Sequence, residues 1–291
     1  MRDVTPVTSA GPRPVTVVER AADSSDDSAA VRANRRRAIA LCVLPWLVLG
    51  LLAAVVLVAV GLALVGVVAF VLVTCVGSFL LWRTSPGVVL RALGARACGE
   101  TEQPRVVNLV EGLCATMGLP VPEIRVVESR VPNAMAVGLH PSTAAVVVTT
   151  GLCESLTLVQ LEGVLAHELV HVKRHETVLA GAAVCVALPW AAIKGNAVGT
   201  AAVHRLVGRG REFEADQRAA SIVRYPPGLE SALESMTEHP VSSDHWPPGE
   251  GRIAALTRWL WIDPLAGAPY PESVEGNLDD TRVRAAALSL R

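Results

Sequence analysis

Two histidines four residues apart enclose an acid in the run His167-Glu168-Leu169-Val170-His171. On a helix, residues at i and i+4 share a face, so both imidazoles can reach one tetrahedral zinc ion. Glu168 is offset by one position and flanks that ion, where it can act as general base on an attacking water that zinc makes acidic. A catalytic zinc needs a third protein ligand and one open position. His175 repeats the spacing, but residues eight apart lie about 12 Å apart along a helix, too far for His167 and His175 to share an ion. The third ligand is therefore expected from another segment, and Arg211-Glu212-Phe213-Glu214-Ala215-Asp216 offers acidic candidates. Glu212 and Asp216 share a helix face, so one can ligate while the other accepts a hydrogen bond from a ligating histidine. Glu212 is the expected ligand and Asp216 its supporting partner; Glu214 lies about 200° around the helix from Glu212. Without the two histidines the same acidic run would read as a charged helix surface. The implied cofactor is one zinc ion per chain.

The elements that must position these residues are legible in outline. Thr157-Leu-Val-Gln160 is a capping-box pattern, and it opens a helix expected to run through about Glu176. Gln103 to Met117 reads as an amphipathic helix, with Pro104 at its start and Gly118 at its end. Glu123 to Val127 and Ala144 to Thr149 are β-rich runs bounded by turn residues, with a shorter candidate strand at Ala134 to Val137 between them. The expected domain is mostly α with a small β-sheet.

Composition adds a membrane to this picture. Of 291 residues 51% are hydrophobic but only 4% aromatic, an excess of Ala, Val and Leu that suits lipid-facing helices. Ala38 to Trp82 runs 45 residues without Asp, Glu, Lys, Arg or His. One bilayer crossing takes about 20 apolar residues, so the run suits two helices, with Gly61 as the hairpin tip. Arg32, Arg35, Arg36 and Arg37 precede it, and Arg83, Arg91 and Arg96 follow it. Basic residues collect on the cytoplasmic side, which puts both ends of the hairpin and the domain after it in the cytoplasm. Residues 1–37 lack apolar periodicity and are expected to be a disordered tail. A net charge of −1 gives no field that would attract nucleic acid. The six cysteines form no CxxC pair and read as small buried hydrophobes, not as a disulfide framework.

Taken together, these features resemble the HtpX-like and CAAX-prenyl-protease family of membrane zinc endopeptidases, among the zincins whose third ligand is a glutamate. The resemblance rests on HELVH at 167–171, Glu212-x-x-x-Asp216 in a REFEAD context, Pro132-Asn133-Ala134-Met135-Ala136, and the amino-terminal hairpin. A weaker similarity lies at His245-Trp-Pro-Pro-Gly-Glu-Gly-Arg252-Ile, which carries one residue more than the family's segment. The resemblance implies a zincin-like catalytic domain and a cytoplasm-facing endopeptidase of the plasma or inner membrane. Its partners would be the lipid bilayer and peptide or protein substrates, membrane or misfolded proteins among them. It further implies that Asn133, Ala134, Met135 and Ala136 form an edge strand that pairs with extended substrate; an ordinary strand after a turn asparagine is the other reading. His245 and Arg252 would stabilise the oxyanion, with a structural role as the alternative. The expected organisation is a tail (1–37), a transmembrane hairpin (38–82), a metallopeptidase domain (83–261) and a carboxy-terminal tail (262–291).

Many family members carry two more membrane spans between the second histidine and the ligand glutamate. Here Thr177 to His204 has 28 residues, too few for two helical spans of about 20 each. The uncharged run Thr177 to Ile193 is therefore expected in the domain core or shallowly against the bilayer, with a re-entrant hairpin as the alternative. A membrane sensor with a zinc-protease signalling domain, or a noncatalytic peptide-binding chaperone, are the rival functions. The first would call for an extracytoplasmic ligand domain, and the second for a lost base or ligand.

Overall fold

The structure, a computed structural model, describes residues 17–99, 101–208, 210–238, 246–249, 251–264, 266 and 280–290, with side chains from residue 28 onward. Helices α1 (Val17–Ala59) and α2 (Ala63–Ala92) form an antiparallel hairpin. The turn falls at Gly61, whose φ of 84° lies in the left-handed region that costs glycine nothing. The two helices approach closely where the Trp46 ring covers Gly77, as small residues allow in membranes. Their apolar side chains, Leu52, Val56, Leu64 and Phe79 among them, point outward. The expected disordered tail is corrected from residue 17 onward, because α1 begins at Val17. The apolar segment nucleates the helix, and extending it upstream costs far less than starting one. Near the membrane end of the domain, Asn34 Nδ2 donates to the Arg174 carbonyl at 3.1 Å and Arg37 donates to the Leu206 carbonyl.

The chain then forms β1 (Arg96–Ala97), α3 (Pro104–Met117), β2 (Glu123–Val127), β3 (Ala134–Val137) and β4 (Ala145–Thr149). The sheet order is β1-β2-β4-β3, with β2 and β4 parallel and the other pairs antiparallel. Strand alternation divides the core between the two faces of the sheet. Ala134, Val126, Val146 and Val148 face the cluster built on α3 and the central helices. Met135, Val127, Val137, Ala145 and Val147 face Val89 and Leu93 of α2. The last turns of α2 thus belong to the domain, and β3 is left as an edge strand.

After α4 (Thr150–Ser155), helix α5 (Leu158–Lys173) is the central element. Thr157 caps it reciprocally with Gln160, and every residue from Gly163 to Val172 is buried. Gly163 lets it meet α9 (Pro227–Glu238): a Cβ there would sit 2.8 Å from the Leu229 backbone. The helix ends at Lys173, short of the expected Glu176, because His175 adopts φ 56° and a new helix, α6 (Glu176–Lys194), starts beyond it. The remaining helices are α7 (Asn196–Val207), α8 (Arg211–Ile222), α10 (Gly251–Leu256) and α11 (Thr281–Ser289). The expected carboxy-terminal tail is corrected as well. Ile262 is fully buried, and Ala285 and Leu288 of α11 join the main core, because α11 lies against α8 and α9. Residues 1–16 and 267–279 lie outside the described residues.

Among the described residues, three helices are long and apolar enough to cross a membrane. In α1 and α2 only 11% of the apolar window is buried within the protein, against 61% in α6. The fold is thus mostly α with a small mixed sheet, joined to an amino-terminal helical hairpin long and apolar enough to cross a bilayer.

Candidate metal centre

Helices α5 and α8 meet so that His167, His171 and Glu212 converge, all buried, with ligand atoms within 4.8 Å of one another. His167 Nε2 lies 3.0 Å from Glu212 Oε2 and 3.1 Å from His171 Nε2, and the second histidine lies 3.5 Å from the same carboxylate oxygen. Two ligands on a tetrahedral ion with bonds of about 2.0–2.1 Å stand about 3.3 Å apart, so these spacings fit one ion of zinc's size.

The far side of each ring is held by a carboxylate. His167 Nδ1 donates to Asp216 Oδ1 at 2.8 Å, and His171 Nδ1 donates to Glu176 Oε2 at 2.7 Å. With the Nδ1 protons committed, both Nε2 atoms point at Glu212 Oε2, an arrangement that calls for a positive charge among them, either a proton or a metal ion. The field of the cluster has the matching sign. Burial lowers the basicity of His171, but Glu212 and Glu176 together outweigh it and hold the pKa up at about 9. Burial likewise works against the Glu212 carboxylate, yet Arg211 and His171 hold its pKa well below the usual carboxylate range. Four carboxylates (Glu168, Glu176, Glu212, Asp216) and two guanidiniums (Arg174, Arg284) are buried here, with the Arg211 guanidinium, its side chain 9% exposed, beside them.

Glu168 projects beside this group, its Oε1 4.0 Å from His167 Nε2. Neither of its oxygens has a hydrogen-bond partner among the described residues. Burial pushes its pKa up, opposed by the neighbouring histidines. A buried carboxylate that is unpartnered beside a metal group is placed to exchange protons with a small molecule bound there.

The other expected residues divide. Glu214 turns away, as its helical position requires, and pairs with Arg174 at 2.5 Å. His175 makes an edge-to-face contact with His140 and stays out of the cluster. Asn133 is fully buried, and its carboxamide holds Asp263, donating to its carbonyl at 2.8 Å and accepting from its N–H at 3.1 Å. Ala134, Met135 and Ala136 lie on the edge strand. The outer edge begins at Ala134, whose carbonyl accepts from Ile262. Arg252 is not brought to the cluster; it donates to the Ala191 carbonyl near the far end of α6 at 3.3 Å. His245 lies outside the described residues.

Sequence reasoning missed Glu176, Arg211 and Arg284. Glu176 stands five residues after His171, which no helix face brings together; only the left-handed break at His175 returns it to the ring. Arg211 is adjacent to its partner Glu212, and Arg284 comes from a distant helix.

The family model described as Peptidase family M48 matches residues 100–260. The chain is similar to the protein named "Protease HtpX homolog" from Acidiphilium cryptum (strain JF-5), 33% identical over 223 residues, covering 67% of this chain and 76% of that protein. It is similar to the protein of the same name from Dictyoglomus thermophilum (strain ATCC 35947 / DSM 3960 / H-6-12), 33% identical over 204 residues, covering 59% and 66% of the two chains. The corresponding protein from Thermococcus sibiricus (strain DSM 12597 / MM 739) is 31% identical over 236 residues, covering 70% and 79%.

Proposed function

The chain belongs to peptidase family M48, and on that premise we propose that it is a membrane-anchored zinc endopeptidase whose metal ligands are His167, His171 and Glu212. The observation that carries this reading is the convergence of two histidine nitrogens and one carboxylate oxygen at 3.0–3.5 Å, each ring backed by its own carboxylate. When bound, zinc supplies Lewis acidity and makes water a nucleophile at neutral pH. Glu168 takes the proton from the attacking water on a carboxylate oxygen and passes it to the nitrogen of the departing amine. Asp216 and Glu176 hold the two imidazoles in the tautomer that leaves Nε2 free to ligate. Ala136 has the same strand parity as Ala134, so its backbone groups face the outer edge of β3 and are set to pair with an extended substrate segment. Such main-chain pairing has little side-chain preference, which suits unfolded or membrane-extracted protein.

The charge pattern supports a cytoplasmic domain behind two spans. Arginines flank both ends of the α1–α2 hairpin, whose tip has no charge. Helix α7 has 12 residues, about 18 Å, so the return from α6 cannot cross a bilayer. Both ends of the α6–α7 hairpin serve the metal group, Glu176 at its start and Glu212 just beyond its end. The hairpin therefore enters and leaves on one side of the membrane. A noncatalytic peptide-binding role gives no reason for an unpartnered buried acid at 168.

The test is cleavage of an unfolded protein such as casein by the detergent-solubilised full chain. Cleavage should stop with a chelator and return with zinc. Glu168→Gln should lower the rate by about 10²–10⁴-fold with zinc still bound. Cleavage that survives either treatment would overturn the mechanism.

A further inference from the structure

Helix α11 lies beyond residues 100–260, the span that matches the family model. It nonetheless sends a fully buried arginine to the back of the metal group. Arg284 grips Asp216 with two parallel hydrogen bonds, Nε to Oδ2 at 2.6 Å and Nη2 to Oδ1 at 2.8 Å. The same Oδ1 accepts from His167 Nδ1. The third guanidinium nitrogen, Nη1, donates to the Ile262 carbonyl and stands 3.9 Å from Glu212 Oε2. Thr281, one turn earlier on α11, donates to Asp263 Oδ1 at 2.9 Å.

A carboxylate that touches only a histidine can rotate about its Cβ–Cγ bond and carry the ring with it. A planar fork removes that freedom, which a lysine's single rotatable ammonium does not. An apolar side chain would fill the same space without the cost of desolvating a guanidinium. Replacing Arg284 alone would leave the Asp216 carboxylate buried without this counter-charge, so the fork sets orientation as well as compensating the carboxylate.

We propose that Arg284 is a positioning residue for the metal centre: by locking Asp216 it fixes the His167 ring in the orientation that ligates zinc. The proposal rests on the zinc reading above. If His167 is held this way, disturbing the fork weakens zinc binding even in protein that remains folded.

Zinc affinity of the full chain in detergent, measured by competition with a chromogenic chelator, tests this alongside thermal melts of the zinc-free proteins. Arg284→Gln should weaken zinc binding by about 10–100-fold, and Arg284→Lys by less. In an Asp216→Asn background, adding Arg284→Gln should change affinity by less than about threefold, because the path to His167 is already cut. Leu288→Ala, which loosens the packing of α11 without touching Asp216, should lower the melting midpoint and leave affinity within about twofold. Parent-like affinity in Arg284→Gln overturns the proposal, as does an equal loss in the Asp216→Asn background. So does a loss in Leu288→Ala as large as that in Arg284→Gln. If neither Arg284 variant folds, the residue is structural and the proposal falls. A parent chain that binds no zinc would instead overturn the zinc reading itself.

Discussion

Glu168 and Glu176 share one chemistry and are set to two tasks by what touches them. Glu176 accepts from His171 and from Arg174 Nε at 3.1 Å, so it stays ionised and fixed. Glu168 has no such partner, which leaves its oxygens available to a proton. Glu176→Gln keeps the volume but can turn an N–H towards the ring, and it should weaken zinc binding by about 10–100-fold in chelator competition. Unchanged affinity would mean that packing alone orients His171. At this scale the sequence revealed what helix periodicity governs. His167, His171, Glu212 and Asp216 follow from i,i+4 spacing on two helices, as does the turning away of Glu214. Glu176 and Arg284 reach the site through a left-handed break and a separate helix, neither of which has a period to read.

The elements carry the precision that this site demands. Helix α5 carries His167, Glu168 and His171, so any shift against its neighbours moves all three together. Its close approach to α9 at Gly163 is a sensitive point. Gly163→Val introduces a Cβ 2.8 Å from the Leu229 backbone, where overpacking costs about 1–3 kcal/mol and a β-branched residue recovers little of the helix propensity that Ala would gain. Thermal denaturation should show a loss of about 2 kcal/mol; a wild-type melt would mean that α9 can move freely. Thr157→Ala removes the reciprocal cap and should cost about 1 kcal/mol in the same measurement. Strand and helix boundaries were legible where local chemistry set them: the capping box, Pro104, Gly118, and the β-branched runs. The amino-terminal extension of α1 was not, because its helicity is inherited from the apolar segment downstream. Nor was α11, whose order comes from contacts with α8 and α9 that leave no local signature.

At the scale of the whole molecule, the domain and the hairpin share elements. The last turns of α2 pack under the sheet, and the segment of α1 before the apolar run bonds the end of α5 and helix α7, so the domain is held against the hairpin. In sealed vesicles of known orientation, a cysteine placed at Gly61 in a cysteine-free chain should react with an impermeant maleimide only from the face opposite the domain. One at Ser155 should react only from the domain's face. Reaction of both from one side would refute the two-span arrangement. The apolar run announced the hairpin in the sequence, whereas the packing of α2 into the domain core depends on contacts across the fold. The account as a whole turns on which side chains hold the metal, and metal analysis of the purified full chain and two variants tests that most directly. It predicts one zinc per chain in the parent and in Glu214→Gln, and none in Glu212→Gln. A parent without zinc, or a Glu212→Gln protein that keeps it, would contradict the account.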